Sequence, residues 1–241
     1  MLSAARLCIP LLVFALYYLT APRTITLEDA GLFQLSCELG GFSHPPGYPL
    51  FSLLCQGFFL IPTDNPVLMG NLLSSVFAAL AVLMLFELCR TLKLSTSEST
   101  FAALCYGTSG VFWSQAIIIE VYSLNALLFI SACWAALRFN QSENTRYFYL
   151  LVLFTGLGLS NHWPLMVLTG PCLILIILGK PQLVFSLAKN IKALVTATII
   201  LLFSLSPYLL LWQRKPAISL TGPIENLPQF FDLTTSVARL T

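Results

Sequence analysis

The chain has 241 residues, of which 57% are hydrophobic and 9% charged, and its formal net charge is +2. Its mean hydropathy is +0.85. Soluble globular domains carry about 25% charged residues, so this chain cannot cover a water-facing surface with charge, and lipid must solvate much of it. The small net charge gives no electrostatic case for a nucleic-acid partner, and none is expected.

In chain order, residues 2–20 (LSAARLCIPLLVFALYYLT) are long and apolar enough for a first spanning helix. Tyr17, Tyr18, Leu19 and Thr20 offer no small-residue cleavage site, so the segment reads as an uncleaved span rather than a signal peptide. Residues 21–65 follow as a long segment outside the hydrocarbon core. Thr26-Leu27-Glu28-Asp29 resembles a capping box and predicts a helix running to Leu39. Stepping about 100° per residue puts Leu32, Phe33, Ser36, Cys37 and Leu39 on the Asp29 side, with Leu35 at its flank. Gln34 and Glu38 point the other way. Asp29 therefore shares a mostly apolar face, where a carboxylate either caps its helix or has a chemical task.

The run His44-Pro45-Pro46-Gly47-Tyr48-Pro49 is stiff. Its prolines discourage helix, Gly47 opens backbone conformations closed to other residues, and Pro49 suits the first turn of a following helix. A joint between two helices explains the prolines and the glycine but not His44, whose imidazole can donate to a phosphate or steady a carboxylate. Residues 49–62 are apolar but short for a span, as in a re-entrant or interfacial helix.

Residues 66–92, capped by Asn65, form the second span. Residues 99–140 are too long for one span and break near 107–115 into two. Residues 147–178 break at Ser160-Asn161-His162-Trp163-Pro164 into two short ones, and residues 191–212 form the seventh. The expected fold is thus all-α and polytopic, with about seven spans plus juxtamembrane helices in residues 21–65. A membrane core is expected over residues 1–213. Residues 214–241 are expected to be extracytoplasmic and to lead into a further C-terminal part.

With the N-terminus inside, Arg6, Arg90, Lys93, Arg138, Arg146, Lys180, Lys189 and Lys192 fall on the cytoplasmic side. Arg23, Arg214, Lys215 and Arg239 fall opposite, so the positive-inside rule favours this orientation. Glu28, Asp29, Glu38, Asp64, Glu120, Glu225 and Asp232, with both histidines, gather on the far side. There "IIIEVYSLN" puts Glu120 at the mouth of a span with Tyr122, Ser123 and Asn125 close behind. "SNHWP" puts Asn161, His162 and Trp163 at a tight turn. A solvated loop-end carboxylate, a helix cap and an interface anchor are the plain alternatives for Glu120, His162 and Trp163. The seven cysteines include no CxxC pair and mostly lie in apolar runs. They read as small buried apolar residues, not as a disulfide frame or a metal site.

Taken in order, EDAGLF, HPPGYPLF, IEVYSLN, SNHWP and GPIENLPQFFDL resemble the polytopic membrane glycosyltransferases of the C-type fold. Within these the chain is most similar to the bacterial and eukaryotic family that includes the endoplasmic-reticulum protein O-mannosyltransferase acting on plexin-type (IPT) domains, and it looks like a bacterial-type member. The resemblance covers almost the whole chain, and HPPGYPLF and the Glu-Val-Tyr-Ser-Leu-Asn run are its most specific parts. It implies that Asp29 aligns with the catalytic base of the first extracytoplasmic loop. Where the family usually reads Gly-Asp-Ser-Gly-Glu, this chain has Glu28-Asp29-Ala30-Gly31-Leu32, so the second carboxylate is replaced by Leu32. Residues 221–226 stand only loosely in place of the family's Trp-Gly-Asp stretch.

The expected reaction transfers a mannose-like sugar from a polyprenyl- or dolichyl-phosphate donor to a hydroxyl of a protein or glycan acceptor. The donor is a substrate, and no cofactor or metal is assigned. Phosphate leaves as a stable anion, so the protein must supply one base and hydrogen-bonding or cationic partners for the phosphate. Asp29 is the expected base. Glu28, His44, Tyr48, Glu120, Tyr122, Asn125, Asn161, His162 and Arg214 are the expected substrate-binding residues. A single displacement inverts the anomeric carbon, and no nucleophilic carboxylate pair for a retaining route is evident. The expected location is the bacterial inner membrane or, in a eukaryote, the endoplasmic reticulum. The rivals are a receptor, whose usual orientation opposes the charge count, a transporter and a non-catalytic membrane subunit.

Overall fold

A computed structural model describes residues 2–26, 29–40, 43, 46–209 and 228–229. Ten helices lead the chain through it: α1 (Leu2–Thr20), α2 (Ala30–Leu39), α3 (Pro49–Phe58), α4 (Pro66–Thr91), α5 (Thr96–Gly107), α6 (Gly110–Ala116), α7 (Tyr122–Ser142), α8 (Thr145–Leu178), α9 (Pro181–Lys189) and α10 (Ile191–Leu205). No strand occurs among the described residues. The helices α4, α7, α8 and residues 191–209 are long and apolar enough to cross a membrane, as expected of an all-α polytopic membrane protein. Local sequence sets the boundaries. Asn65 Oδ1 accepts from Leu68 N at 2.9 Å to cap α4, and Ser95 with Glu98 closes a capping box on α5.

The 34-residue α8 is not straight. His162 sits at φ −147°, ψ 82°, outside helical geometry, and the chain doubles back there. A Cβ on Gly158 would lie 2.7 Å from the Met166 sulfur, although eight residues of straight helix would separate them by about 12 Å. Both ends of α8 reach the same end of α7: Arg138 donates to Tyr147 Oη at 3.0 Å and Asn140 Nδ2 to Ile176 O. Pro164 removes a backbone donor just past the bend and helps it form. The expected break in residues 147–178 is therefore a helical hairpin with arms 145–161 and 163–178.

Helix ends gather at two poles. At one, Arg6 pairs with Glu87 at 2.5 Å, Gln141 donates to Thr91 O at 3.0 Å, and Lys180 pairs with Glu143 at 2.9 Å. At the other, Trp113 Nε1 donates to Thr20 Oγ1 at 3.0 Å, Asn71 Nδ2 to Pro22 O at 2.9 Å, and Tyr208 Oη to Leu159 O at 2.9 Å. Seven helical passes join the poles among the described residues: α1, α4, α5 with α6, α7, the two arms of α8, and α10. Asp29 and His162 lie at the second pole, where α2 and α3 are also found.

The break expected near 107–115 is present at Thr108–Ser109, between α5 and the short α6. A second irregular stretch, residues 117–121, follows α6. Non-helical backbone in a membrane bundle must find internal hydrogen-bond partners, and α4 supplies them. Asn71 Oδ1 accepts from Ile119 N at 2.8 Å, Ser74 Oγ accepts from Glu120 N at 3.0 Å and donates to Glu120 O at 3.2 Å, and Ser75 Oγ donates to Ala116 O at 2.8 Å. Asn161, at the tip of the α8 hairpin, donates to Val121 O at 3.1 Å. The four residues Ile118 to Val121 are buried as a result.

Two sequence readings need correction. Cys37 and Cys55 form a disulfide, with Cα atoms 5.4 Å apart, that staples α2 to α3. The absence of CxxC spacing hid it, because the pair is made by the chain folding back between the two helices. Of the remaining cysteines, only Cys89 and Cys133 are buried, while Cys8, Cys105 and Cys172 face outward. The wheel for α2 was also rotated. The buried side is Ala30, Phe33, Gln34, Ser36 and Cys37, while Leu35 and Leu39 are exposed. α2 turns toward the disulfide and α4 rather than burying every apolar residue. A Cβ on Gly70 of α4 would meet Gln34 Oε1 at 2.5 Å, so only glycine lets α2 approach so closely.

Cutting the staple with Cys37→Ser and Cys55→Ser should lower stability by about 2–4 kcal/mol, read as a reduced midpoint of thermal unfolding in detergent. Asn71→Ala leaves Pro22 O and Ile119 N without their partner and should cost about 1–3 kcal/mol in the same measurement. Ser109→Ala, at an exposed position, should stay within about 0.5 kcal/mol.

Candidate functional site

Four pieces of backbone bring side chains together at the second pole. Asp29 is the residue before α2: its carbonyl accepts from Phe33 N at 2.9 Å, but its side chain makes no capping bond, and the residue is exposed. The side chain is thus not consumed by helix capping. Gly47 and Tyr48 follow one another in the left-handed region, at φ 89° and φ 43°. Gly47 adopts it without strain, whereas for tyrosine such a conformation costs on the order of 1–3 kcal/mol. The conformation swings the Tyr48 ring inward as α3 begins. There its centroid lies 5.3 Å from Phe33 and 5.4 Å from His162, and the residue is buried. Pro49 at the first helical position confirms the expected start of α3.

His162 occupies the apex of the α8 hairpin. Its Nδ1 accepts from Leu165 N at 3.2 Å, so the ring caps the second arm. In the neutral imidazole this leaves the proton on Nε2, which is then a donor. The plain reading of His162 as a helix-turn cap is therefore correct for one nitrogen, and the ring also serves the cluster. Its centroid is 5.4 Å from Tyr48 and 5.9 Å from Tyr122, so one imidazole lies between two phenols.

Tyr48 reports the electrostatics of the place. Burial pushes its hydroxyl well above the ordinary tyrosine range, and Tyr122, Asp29 and Glu120 push it further in that order. The phenol stays protonated at neutral pH and is a hydrogen-bond donor. The two carboxylates are far apart in sequence but share its electrostatic neighbourhood. Glu120 is buried, with its backbone held by Ser74, whereas Tyr122 at the start of α7 is exposed. The cluster thus has a buried acidic floor and an exposed acidic and phenolic rim.

Among the residues anticipated from sequence, the fold gathers Asp29, Tyr48, Glu120, Tyr122 and His162. Asn125 and Asn161 are close but buried, and Asn161 holds the Val121 carbonyl. The Oδ1 atoms of both asparagines are buried with no hydrogen-bond partner among the described residues. Glu28, His44 and Arg214 lie outside the described residues. Sequence reasoning passed over Asn71, Ser74 and Ser75, which fix the Glu120 segment. Polar residues at spacings of three and four inside an otherwise apolar span were the available signal.

The chain matches the family model described as "Protein O-mannosyl-transferase TMEM260 N-terminal domain" over residues 29–186, an interval that holds every described member of the cluster. It is 30% identical over 208 residues to the protein O-mannosyl-transferase TMEM260 of Mus musculus, covering 83% of this chain and 29% of that protein. To the corresponding protein of Dictyostelium discoideum it is 28% identical over 229 residues, covering 85% of this chain and 27% of that protein. The chain thus spans less than a third of the length of these curated relatives. No solved structure matches it. A match across most of the chain, from Asp29 through the hairpin of His162, shows that it belongs to the TMEM260 protein O-mannosyl-transferase family and corresponds to that family's N-terminal domain.

Proposed function

We propose that this chain forms the catalytic membrane portion of a protein O-mannosyltransferase of C-type architecture. It transfers a sugar from a polyprenyl-phosphate donor to a hydroxyl on a protein acceptor, with inversion. The observation that carries the reading is that Asp29 and Glu120, far apart in sequence, both act electrostatically on the buried Tyr48 hydroxyl, whose ring lies 5.4 Å from that of His162. The names of the relatives support mannosyl transfer to protein.

Asp29, exposed and uncommitted to capping, takes the proton from the acceptor hydroxyl. The acceptor oxygen bonds to the anomeric carbon as the bond from that carbon to the phosphate oxygen breaks. Polyprenyl phosphate departs as an anion and needs no proton. Its charge is met by donors: the Tyr48 phenol, the Tyr122 phenol and the His162 Nε2–H, with His44 and Arg214 proposed in the same role. Glu120, Asn125 and Asn161 bind the sugar or order the water beside it, and Glu28 flanks the base. The lipid tail lies between helices in the bilayer.

The site is assigned to the extracytoplasmic side, with the N-terminus in the cytoplasm. Two observations support this: eight of the twelve basic residues lie at the opposite pole, and the Cys37–Cys55 disulfide calls for an oxidising compartment.

In membranes supplied with polyprenyl-phosphate mannose, Asp29→Asn should lower transfer by about 10²–10⁴-fold at unchanged protein level. Undiminished transfer by that variant would remove Asp29 as the base and favour a non-catalytic subunit or a transporter. Tyr48→Phe keeps the packing on Phe33 and His162 and should mainly raise the donor KM. A loss confined to protein level would instead make the hydroxyl structural.

A further inference from the structure

The pole opposite the cluster carries a feature that glycosyl transfer does not use. Arg138 of α7 and Arg146 of α8 both donate to one oxygen, the Tyr147 hydroxyl, at 3.0 and 2.9 Å. Their guanidinium carbons lie 5.1 and 4.7 Å from the centroid of the same ring. Two cations are thus held side by side on a neutral group. Neither has a carboxylate within ion-pair distance among the described residues, because Glu143 pairs with Lys180 and Glu87 with Arg6. Arg138 Nε is buried and has no acceptor there. Like charges in close company repel, and more strongly near low-dielectric surroundings than in water, so the arrangement calls for an anion.

The surface beside this pair says what kind of anion. An open groove of about 540 Å³ runs from Arg146 along the first arm of α8 and the facing side of α10, lined by Tyr149, Leu150, Leu153, Ile199 and Phe203 among others. Beyond Arg146 at its mouth, it offers hydrocarbon, rings and one phenol. A doubly basic head above an apolar furrow between helices is complementary to a phosphate ester with acyl chains. A soluble phosphate would leave the furrow unused, and a zwitterionic lipid would leave the arginines uncompensated.

We infer that this groove binds one anionic phospholipid, with its phosphate on Arg138 and Arg146 and an acyl chain along Leu153 and Phe203. The pole holds eight of the chain's twelve basic residues, so the site faces the leaflet in which anionic lipids attract such residues. The inference does not depend on the transfer reaction.

The test is native mass spectrometry of the full-length protein in neutral detergent, titrated with phosphatidylglycerol or phosphatidylcholine of identical acyl chains. Phosphatidylglycerol should be retained preferentially. Arg138→Gln and Arg146→Gln should each weaken that binding about five-fold, and the double variant should erase the preference. Leu153→Trp, which fills the furrow without touching charge, should also abolish retention, so a folding defect in the arginine variants would not leave the question open. Equal retention of the two lipids overturns the inference. So does an unchanged preference in the double variant, or occupation of the groove by a further segment of the full-length chain. Displacement of phosphatidylglycerol by inorganic phosphate with no sensitivity to Leu153→Trp overturns it as well.

Discussion

The hydrogen bonds from α4 to the irregular segment before α7 are the constraint on which the site depends. A bundle in lipid cannot leave five residues of backbone unpaired, since each unsatisfied group costs several kcal/mol. Asn71, Ser74 and Ser75 stand in for the missing helical partners of residues 116–120. Asn71 also reaches Pro22 O, so one side chain ties the exit of α1 to the segment that carries Glu120. Any displacement of that segment would break several buried bonds at once. The backbone bonds to Ser74 therefore hold Glu120 in place, and Tyr122 follows it two residues on.

The second element of placement is the pairing of two sharp turns. The α8 hairpin delivers His162 from one side, and the left-handed pair Gly47–Tyr48 delivers a phenol from the other. Each turn is locally costly. Their meeting offsets part of that cost: the imidazole caps its own arm through Nδ1, the phenol packs on Phe33 and on the imidazole, and the disulfide holds α3 against α2 beneath them. Strain at a non-glycine residue that survives only because its surroundings insist on it is commonly found at functional positions.

Much of the architecture was legible in the sequence because lipid imposes simple rules on composition and length. The spans around residues 2–20 and 66–92, the short apolar helix after Pro49, the division of residues 147–178 and the sorting of charge to two poles all follow from hydropathy, proline and helix length. What escaped was relational. The break at Gly107–Gly110 was legible, but the second one at residues 117–121 was not, because the side chains that serve its backbone, Asn71 and Ser74, lie on another helix. The disulfide was invisible because neither cysteine announces its partner until the chain folds back. The face of α2 was misjudged because the wheel counts only apolar residues, whereas the disulfide at Cys37 and the close approach to Gly70 fix which side turns inward.

The same distinction explains why the candidate site could be named in parts before it could be assembled. Asp29, Glu120 and His162 stand out one by one, because an ionisable residue beside an apolar run is expensive and needs a reason. Sequence alone gives each the plain alternative of a cap or a loop-end charge. In the structure the Asp29 side chain makes no capping bond, and His162 does cap through Nδ1 while its ring packs near Tyr48 and Tyr122. Glu120 is buried, where a solvated loop-end charge would not be. The exposed Asp29 and the buried Glu120 both act on the buried Tyr48 hydroxyl, so the candidate site is joined electrostatically across segments far apart in the chain.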